Sequence, residues 1–295
     1  MKVLSLFGGI SCGAIALSRA LIPIERYVAY EIDKSAIAIS EKNYPWIERR
    51  GDVVNADFAE FKGFDLLLGG SPCQDLSIDK KNRKGLDGER SGLFWEYVRA
   101  LHEAKPTYFL FENNFNMPKA DEAKITESLG IEPIMINSAL VSPQQRRRLY
   151  WTNIPNVEQP VDVSHKMVGD IIEWDVVREN LFSETKFSKN ALVSDYRNKP
   201  LRVGTIGKGG QGERVYSIYG KTVTLTANGG GRGAKTGLYL INGTVRKLTP
   251  REAERAQGLP DDYTLIDGIS ESQRYKAIGN GWTVDVITHI LSHLN

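Results

Sequence analysis

The stretch VLSLFGGISCG, residues 3–13, decides the fold. An apolar run of strand length enters a pair of glycines, and a helical pattern follows from Gly13 to Ala20. A strand that turns at glycine straight into a helix opens a βα unit. The alternation continues along the first half of the chain. Strand-like runs YVAYEI from Tyr27, DLLLGG from Asp65, TYFLFE from Thr107 and EPIMIN from Glu132 are separated by helical patterns over Ser35–Asn43, Leu93–Ala104 and Asp121–Leu129. This predicts an α/β fold with a mostly parallel, doubly wound sheet covered on both faces. Such sheets take ligands at the carboxyl ends of their strands, so functional residues are expected just after each apolar run.

From about Val161 the periodicity changes. An irregular, β-rich middle runs to about Asp267, where the glycine clusters KGGQGE and NGGGRGAKTG flank a strand-like VTLTA. The tail reads as a short helix, a turn at Gly279–Asn280–Gly281, and a helix VDVITHILSHL with the apolar spacing to pack back on the large domain. The expected organisation is therefore a large domain of residues 1–160 with 269–295, and a smaller one of 161–268.

The composition is that of a globular protein, with 41% hydrophobic and 25% charged residues and a net charge of +2. Charge is unevenly placed. Between Pro200 and Arg251 nine Lys and Arg face one acid, Glu213, and the same stretch holds 12 of the 28 glycines. A basic, glycine-rich segment on an otherwise mildly acidic chain suggests a surface that meets a polyanion. Two cysteines, Cys12 and Cys73, imply no disulfide framework and fit a reducing, cytoplasmic setting. No metal site is expected, since the four histidines have no ligand-spaced partners beyond His289 and His293. No apolar stretch approaches the roughly 20 residues of a membrane span.

At the strand ends the chemistry becomes specific. After the first strand, the turn from Phe7 to Gly13 lets a ligand approach backbone at a helix N-terminus. Glu31, 18 residues beyond Gly13, follows the second strand and is placed to accept hydrogen bonds from a ribose diol. Asp52 is a second acid at a strand end. In order, these residues point to a nucleoside cofactor without saying which. DLLLGG then enters Ser71-Pro72-Cys73-Gln74-Asp75. A cysteine set by a proline at the active edge of such a sheet is either a nucleophile or a small buried apolar residue. The next strand ends in Glu112-Asn113, where a carboxyl could hold a ring nitrogen while a thiolate attacks the neighbouring carbon. Further on, QQRRRLYW from Gln144 interleaves arginines with aromatics. Strand alternation there predicts Arg146 and Arg148 on one face.

SPCQ, FEN, QQRRRLYW, RKLTPREAERAQGLP and AIGNGW occur in the order shown by DNA cytosine-5 methyltransferases, and the chain resembles that family over nearly its whole length. It is most similar in pattern to compact phage and bacterial members, and to the catalytic domain of animal de novo methyltransferases. The resemblance implies a Rossmann-like domain that binds S-adenosyl-L-methionine and releases S-adenosyl-L-homocysteine, with a smaller target-recognition domain. It implies that Cys73 adds to C6 of a cytosine flipped out of double-stranded DNA, that Glu112 contacts N3 and the exocyclic amine, and that Arg148, supported by Arg146, holds the base carbonyl. Phe7, Gly9, Gly13, Glu31, Ile32 and Asp52 would bind the cofactor, with Asn280 and Trp282 closing the site. Substrate contacts are assigned to Ser71, Pro72, Gln74 and Asn113, to Lys81 and Arg83 of a basic loop closing over the base, and to Arg232 of the basic middle.

The pattern departs from the family at Ser5, usually Asp, at Gly8, usually larger or polar, and at Asn114, usually Val. A monomer in a bacterial or phage-infected cell is expected, with a cognate restriction endonuclease as a partner where the enzyme belongs to such a system. A tRNA cytosine-5 methyltransferase on the same scaffold is the nearest alternative, and its substrate alone would distinguish it. A catalytically silent DNA-binding subunit would have lost Cys73 or Glu112, and both are present.

Overall fold

The computed structural model describes residues 1–72, 91–161, 164–188, 198–227 and 236–295. They group into two compact units, one of Met1–Ile136, Arg147–Gln159 and Ile287–Asn295, the other of Asn137–Arg146 and Pro160–Val286.

The first unit is built on β1 (Lys2–Leu6), β2 (Arg26–Tyr30), β3 (Glu48–Arg50), β4 (Leu66–Gly69), β5 (Tyr108–Asn114), β6 (Ile134–Asn137) and β7 (Arg147–Thr152). Their spatial order is β3-β2-β1-β4-β5-β7-β6. Strands β1 to β5 pair in parallel, and β7 runs antiparallel to β5. The chain leaves β1 towards β2 and β3 on one side, then crosses to β4 and β5 on the other. β1 and β4 therefore flank the switch point at which such sheets bind ligands. The glycine turn follows β1, and the segment leading to Cys73 follows β4.

Helices α1 (Cys12–Arg19), α2 (Lys34–Asn43), α3 (Phe94–Ala104) and α4 (Lys119–Leu129) lie between these strands, close to the ranges their periodicity predicts. Capping sets the ends. Asp33 accepts from the Ser35 and Ala36 N–H groups at 3.0 and 3.1 Å, starting α2. On α3, Phe94, Tyr97, Ala100 and Ala104 form the buried stripe. Phe111 of β5 meets Tyr97, Phe94 and Trp151 with ring centroids 4.8, 5.2 and 5.9 Å apart. This aromatic core ends at Phe111, and the residue after it is Glu112. The site thus begins where the rigid packing stops.

The second unit carries a smaller sheet of β8 (Lys186–Phe187), β9 (Arg202–Thr205), β10 (Arg214–Ser217), β11 (Leu238–Ile241) and β12 (Thr244–Arg246), in the order β12-β11-β10-β9-β8. Pairing is antiparallel except between β10 and β11. Leu181, Val203, Ile206, Val215, Leu238 and Val245 form its core. The run VTLTA, read above as strand-like, belongs to neither sheet. It lies beside the glutamine pair, with Leu225 N–H donating to Gln144 Oε1 at 2.9 Å and Thr224 Oγ1 donating to the Gln145 carbonyl at 2.8 Å.

After β12 come α5 (Pro250–Gln257), α6 (Glu271–Asn280) and α7 (Val284–Leu291). α6 runs through Asn280, so the expected turn starts only at Gly281. Thr249 and Glu252 form a reciprocal capping box at the start of α5, with Pro250 in its first turn. Glu252, wholly buried, is neutralised by Arg246 at 2.7 Å. Among the described residues, no helix is long and apolar enough to cross a membrane.

Candidate active site

The glycine turn is held by backbone geometry and by one carboxylate. Phe7, Gly9 and Ser11 take left-handed backbone angles, with φ of 58°, 52° and 66°. For a residue as large as Phe this conformation is strained, and it persists because its surroundings hold it. Gly9 N–H donates to Glu31 Oε2 at 2.8 Å, while Glu31 Oε1 accepts from the Ile32 and Asp33 N–H groups at 2.8 Å each. Glu31 therefore ties the turn after β1 to the end of β2. A Cβ on Gly8 would lie 3.2 Å from the Ala29 Cβ, which favours glycine where the family pattern has a larger residue. Gly13 is buried in the first turn of α1.

Asp52, just beyond β3, accepts from Val54 N–H at 3.1 Å through one oxygen and so caps a short 3₁₀ turn. Ile32 is 66% exposed. A carboxylate has about four lone-pair positions, and Glu31 uses three of them on backbone N–H groups. Two oriented carboxylates at the ends of neighbouring strands, with an exposed isoleucine between them in the chain, suit a nucleoside. They offer acceptors for a diol and an amine, and an apolar face for a flat ring.

At the other side of the switch point the segment after β4 is anchored to β5. Gly69 lies opposite Phe111 in the parallel register. Buried Asn113 donates its amide to Ser71 Oγ at 3.3 Å and to the Ser71 carbonyl at 3.5 Å. Pro72 is half-buried. Cys73, Gln74, Lys81, Arg83 and Arg232 lie outside the described residues.

Glu112 and Asn114 share one face of β5, and Asn113 takes the other. Opposite them, Arg148 of β7 brings Nε to 2.8 Å from Glu112 Oε1, with the two side chains only 14% and 13% exposed. This carboxylate–guanidinium pair offers acceptor and donor groups side by side to a planar polar ring.

Arg146 does not share that face, because the strand starts one residue later, at Arg147. Arg146 is buried in the second unit, where its guanidinium donates to the carbonyls of Leu225, Gly279 and Gly281 at 2.8, 3.0 and 3.2 Å. It holds main chain on both sides of Asn280. Asn280 itself is exposed and Trp282 half-exposed.

Two residues with evident roles escaped the sequence reading. Gln144 accepts from Leu225 N–H at 2.9 Å and donates to the side chain of Gln257. Lys221 is fully buried and donates to the carbonyls of Ser142, Ser164 and Lys166 at 3.0, 2.8 and 2.6 Å. A buried lysine carries no sequence signal. Gln144 stood inside a motif that drew attention to its arginines. Among the described residues no cluster of His, Cys, Asp or Glu could hold a metal ion.

The fold is shared with solved methyltransferases. The Entamoeba histolytica methyltransferase EhMeth superposes with a TM-score of 0.76 at 18% identity, covering 100% of this chain and 97% of that one. The architecture is thus that of the α/β methyltransferases. At the level of sequence, Type II methyltransferase M.HhaI of Haemophilus parahaemolyticus is 33% identical over 309 residues, covering 98% of this chain and 93% of that protein. Type II methyltransferase M1.ScrFI of Lactococcus lactis subsp. cremoris is 29% identical, covering 97% and 76% respectively. Residues 1–295 match the C-5 cytosine-specific DNA methylases, and the chain belongs to that family. Its activity is DNA (cytosine-5) methylation.

Proposed function

We propose that the chain methylates C5 of a cytosine flipped out of duplex DNA, with S-adenosyl-L-methionine as donor and Cys73 as nucleophile. The observation that carries this reading is the Glu112–Arg148 pair at the end of β5. It stands one strand along from the anchored segment that leads, two residues after Ser71, to Cys73.

Cytosine in a duplex hides C6, so the base must leave the stack at a cost of a few kcal/mol. The Cys73 thiolate then forms a bond to C6, and electron density moves to C5. Glu112 holds N3 and the exocyclic amine as the ring becomes electron-rich, and Arg148 donates to the base carbonyl. S-adenosyl-L-methionine, when bound, supplies an electrophilic methyl on a sulfonium, with S-adenosyl-L-homocysteine as product. Loss of the C5 proton and breakage of the sulfur–C6 bond return Cys73 as a thiolate. Glu31 would receive the ribose of the cofactor, Ile32 and Asp52 its adenine, and Phe7, Gly9 and Gly13 would line it, with Asn280 and Trp282 closing over it.

The middle region, 161–268, with its basic glycine-rich stretch, is the proposed target-recognition part. Lys81 and Arg83 are assigned to the loop that closes on the base, and Arg232 to DNA contact. The type II names of the relatives support a role in modification beside a cognate restriction endonuclease.

The test is methyl transfer from tritiated S-adenosylmethionine to unmethylated duplex DNA and, separately, to bulk tRNA, with Cys73→Ala as control. Label in DNA that is lost in the control is the expected result. Label in tRNA alone would move the substrate to RNA.

A further inference from the structure

The guanidinium of Arg148 has five N–H bonds in a fixed fork, and the structure uses them unevenly. Nε faces Glu112 at 2.8 Å. Nη1 donates to the Arg147 carbonyl at 2.8 Å and to Asn114 Oδ1 at 3.4 Å. Among the described residues, Nη2 donates no hydrogen bond.

The Asn114 oxygen is itself held in place. It also accepts from Asn116 N–H at 3.3 Å, an Asx turn that fixes the amide where β5 ends. The Asn114 N–H in turn donates to Asn113 Oδ1 at 2.7 Å. In the antiparallel register Asn114 stands directly opposite Arg148. A carboxylate, a main-chain carbonyl and an amide oxygen thus grip two of the three nitrogens of the guanidinium. Because the group is planar, this fixes the direction of the third. The valine usual at this position in the family pattern has no acceptor to offer.

We propose that Asn114 is a positioning residue for methyl transfer: its amide oxygen holds one terminal nitrogen of Arg148 and so presents the other to the carbonyl of the target cytosine. This rests on Arg148 being the group that holds that carbonyl. Asn114 touches neither base nor cofactor in this account; it acts through Arg148 alone.

Single-turnover methyl transfer to duplex DNA tests it, measured alongside affinity for a duplex with an abasic site at the target, which keeps the backbone contacts and removes the base. Asn114→Val should slow transfer about three- to ten-fold, the range expected for one hydrogen bond of ordinary strength, as suits a contact of 3.4 Å. Affinity for the abasic duplex and the melting temperature should stay at wild-type values. Asn114→Asp, which keeps an oxygen at the same place, should remain within about two-fold of wild type. In an Arg148→Ala background, Asn114→Val should change nothing further. A wild-type rate for Asn114→Val, equal losses for Val and Asp, or a full Asn114→Val loss that persists without Arg148 would each overturn the proposal. An Arg148→Ala enzyme that transfers methyl at the wild-type rate would instead overturn the reading of Arg148 itself.

Discussion

The side chains proposed to act on the base stand at the ends of β5 and β7. Glu112 and Arg148 are mostly buried and face each other at 2.8 Å. Glu112→Gln keeps the shape of the side chain and removes its charge. It should lower the single-turnover rate by about 10²- to 10³-fold while duplex affinity changes little. Equal losses in rate and affinity would mean that Glu112 acts in binding rather than in the reaction. Lys221 gives a prediction on stability. Burial pushes its ammonium down to about 8, against the attraction of Asp170. The unfolded chain, with an ordinary lysine near 10.4, binds that proton more tightly. Stability due to this residue is therefore flat below pH 8 and rises as the pH climbs from 8 towards 10. The unfolding free energy of wild type minus that of Lys221→Met should grow by about 2 kcal/mol over that interval in denaturant titrations. A difference that shrinks would show that the three carbonyls hold the charge more strongly than burial opposes it. At this scale the sequence singles out Glu31, Asp52 and Glu112 because each stands near the end of an apolar run, and the structure places all three at or just past strand ends, while Cys73 lies outside the described residues. Arg146 was misplaced because alternation is meaningful only once the first residue of the strand is known, and three consecutive arginines do not mark it.

Elements were legible where hydropathy and punctuation agree. The apolar runs of β1, β2, β4 and β5 end at glycines or acids, and α2 follows Asp33, an N-cap written in the sequence. Helix α5 went unread although Thr249, Pro250 and Glu252 spell a capping box, since PREAERAQ has almost no apolar stripe and buries Glu252 and Glu254, each paired with an arginine, beside two small alanines. VTLTA has strand composition but belongs to no strand among the described residues, because Thr224 and Leu225 bond to the loop around Gln144 and not to another strand. The structure also gives Gly279 of α6 a reason. A Cβ there would collide with the carbonyl of Thr226, the residue after Leu225, whose carbonyl receives Arg146. Glycine to alanine inside a helix ordinarily adds up to about 1 kcal/mol of stability. Gly279→Ala should instead lower the melting temperature, by several degrees. An unchanged or raised value would show that Thr226 can move aside without loss. Removing the cap by Thr249→Ala should cost about 1 kcal/mol, read in the same melts.

Across the whole molecule, two compact units are built on different sheets. The first presents the strand ends that carry Glu31 and Glu112, and the second carries in its sequence the basic, glycine-rich stretch proposed to meet DNA. Of the nine basic residues between Pro200 and Arg251, Lys221 and Arg246 are buried and Arg251 is paired with Glu173 and Asp262; the remaining six predict affinity for duplex DNA that falls with salt, by roughly ten-fold or more between 50 and 200 mM. Binding insensitive to salt would place recognition elsewhere. In the proposed reaction Cys73 bonds to C6 of a cytosine in DNA, and a duplex carrying 5-fluorocytosine would trap that bond. Fluorine at C5 cannot leave as a proton does, so the adduct formed after methyl transfer has no exit. With S-adenosylmethionine present, a denaturation-resistant one-to-one complex whose cross-linked peptide contains Cys73 is expected, and no complex with Cys73→Ala. A cross-link at any other residue, or none despite methylation of ordinary DNA, would contradict it.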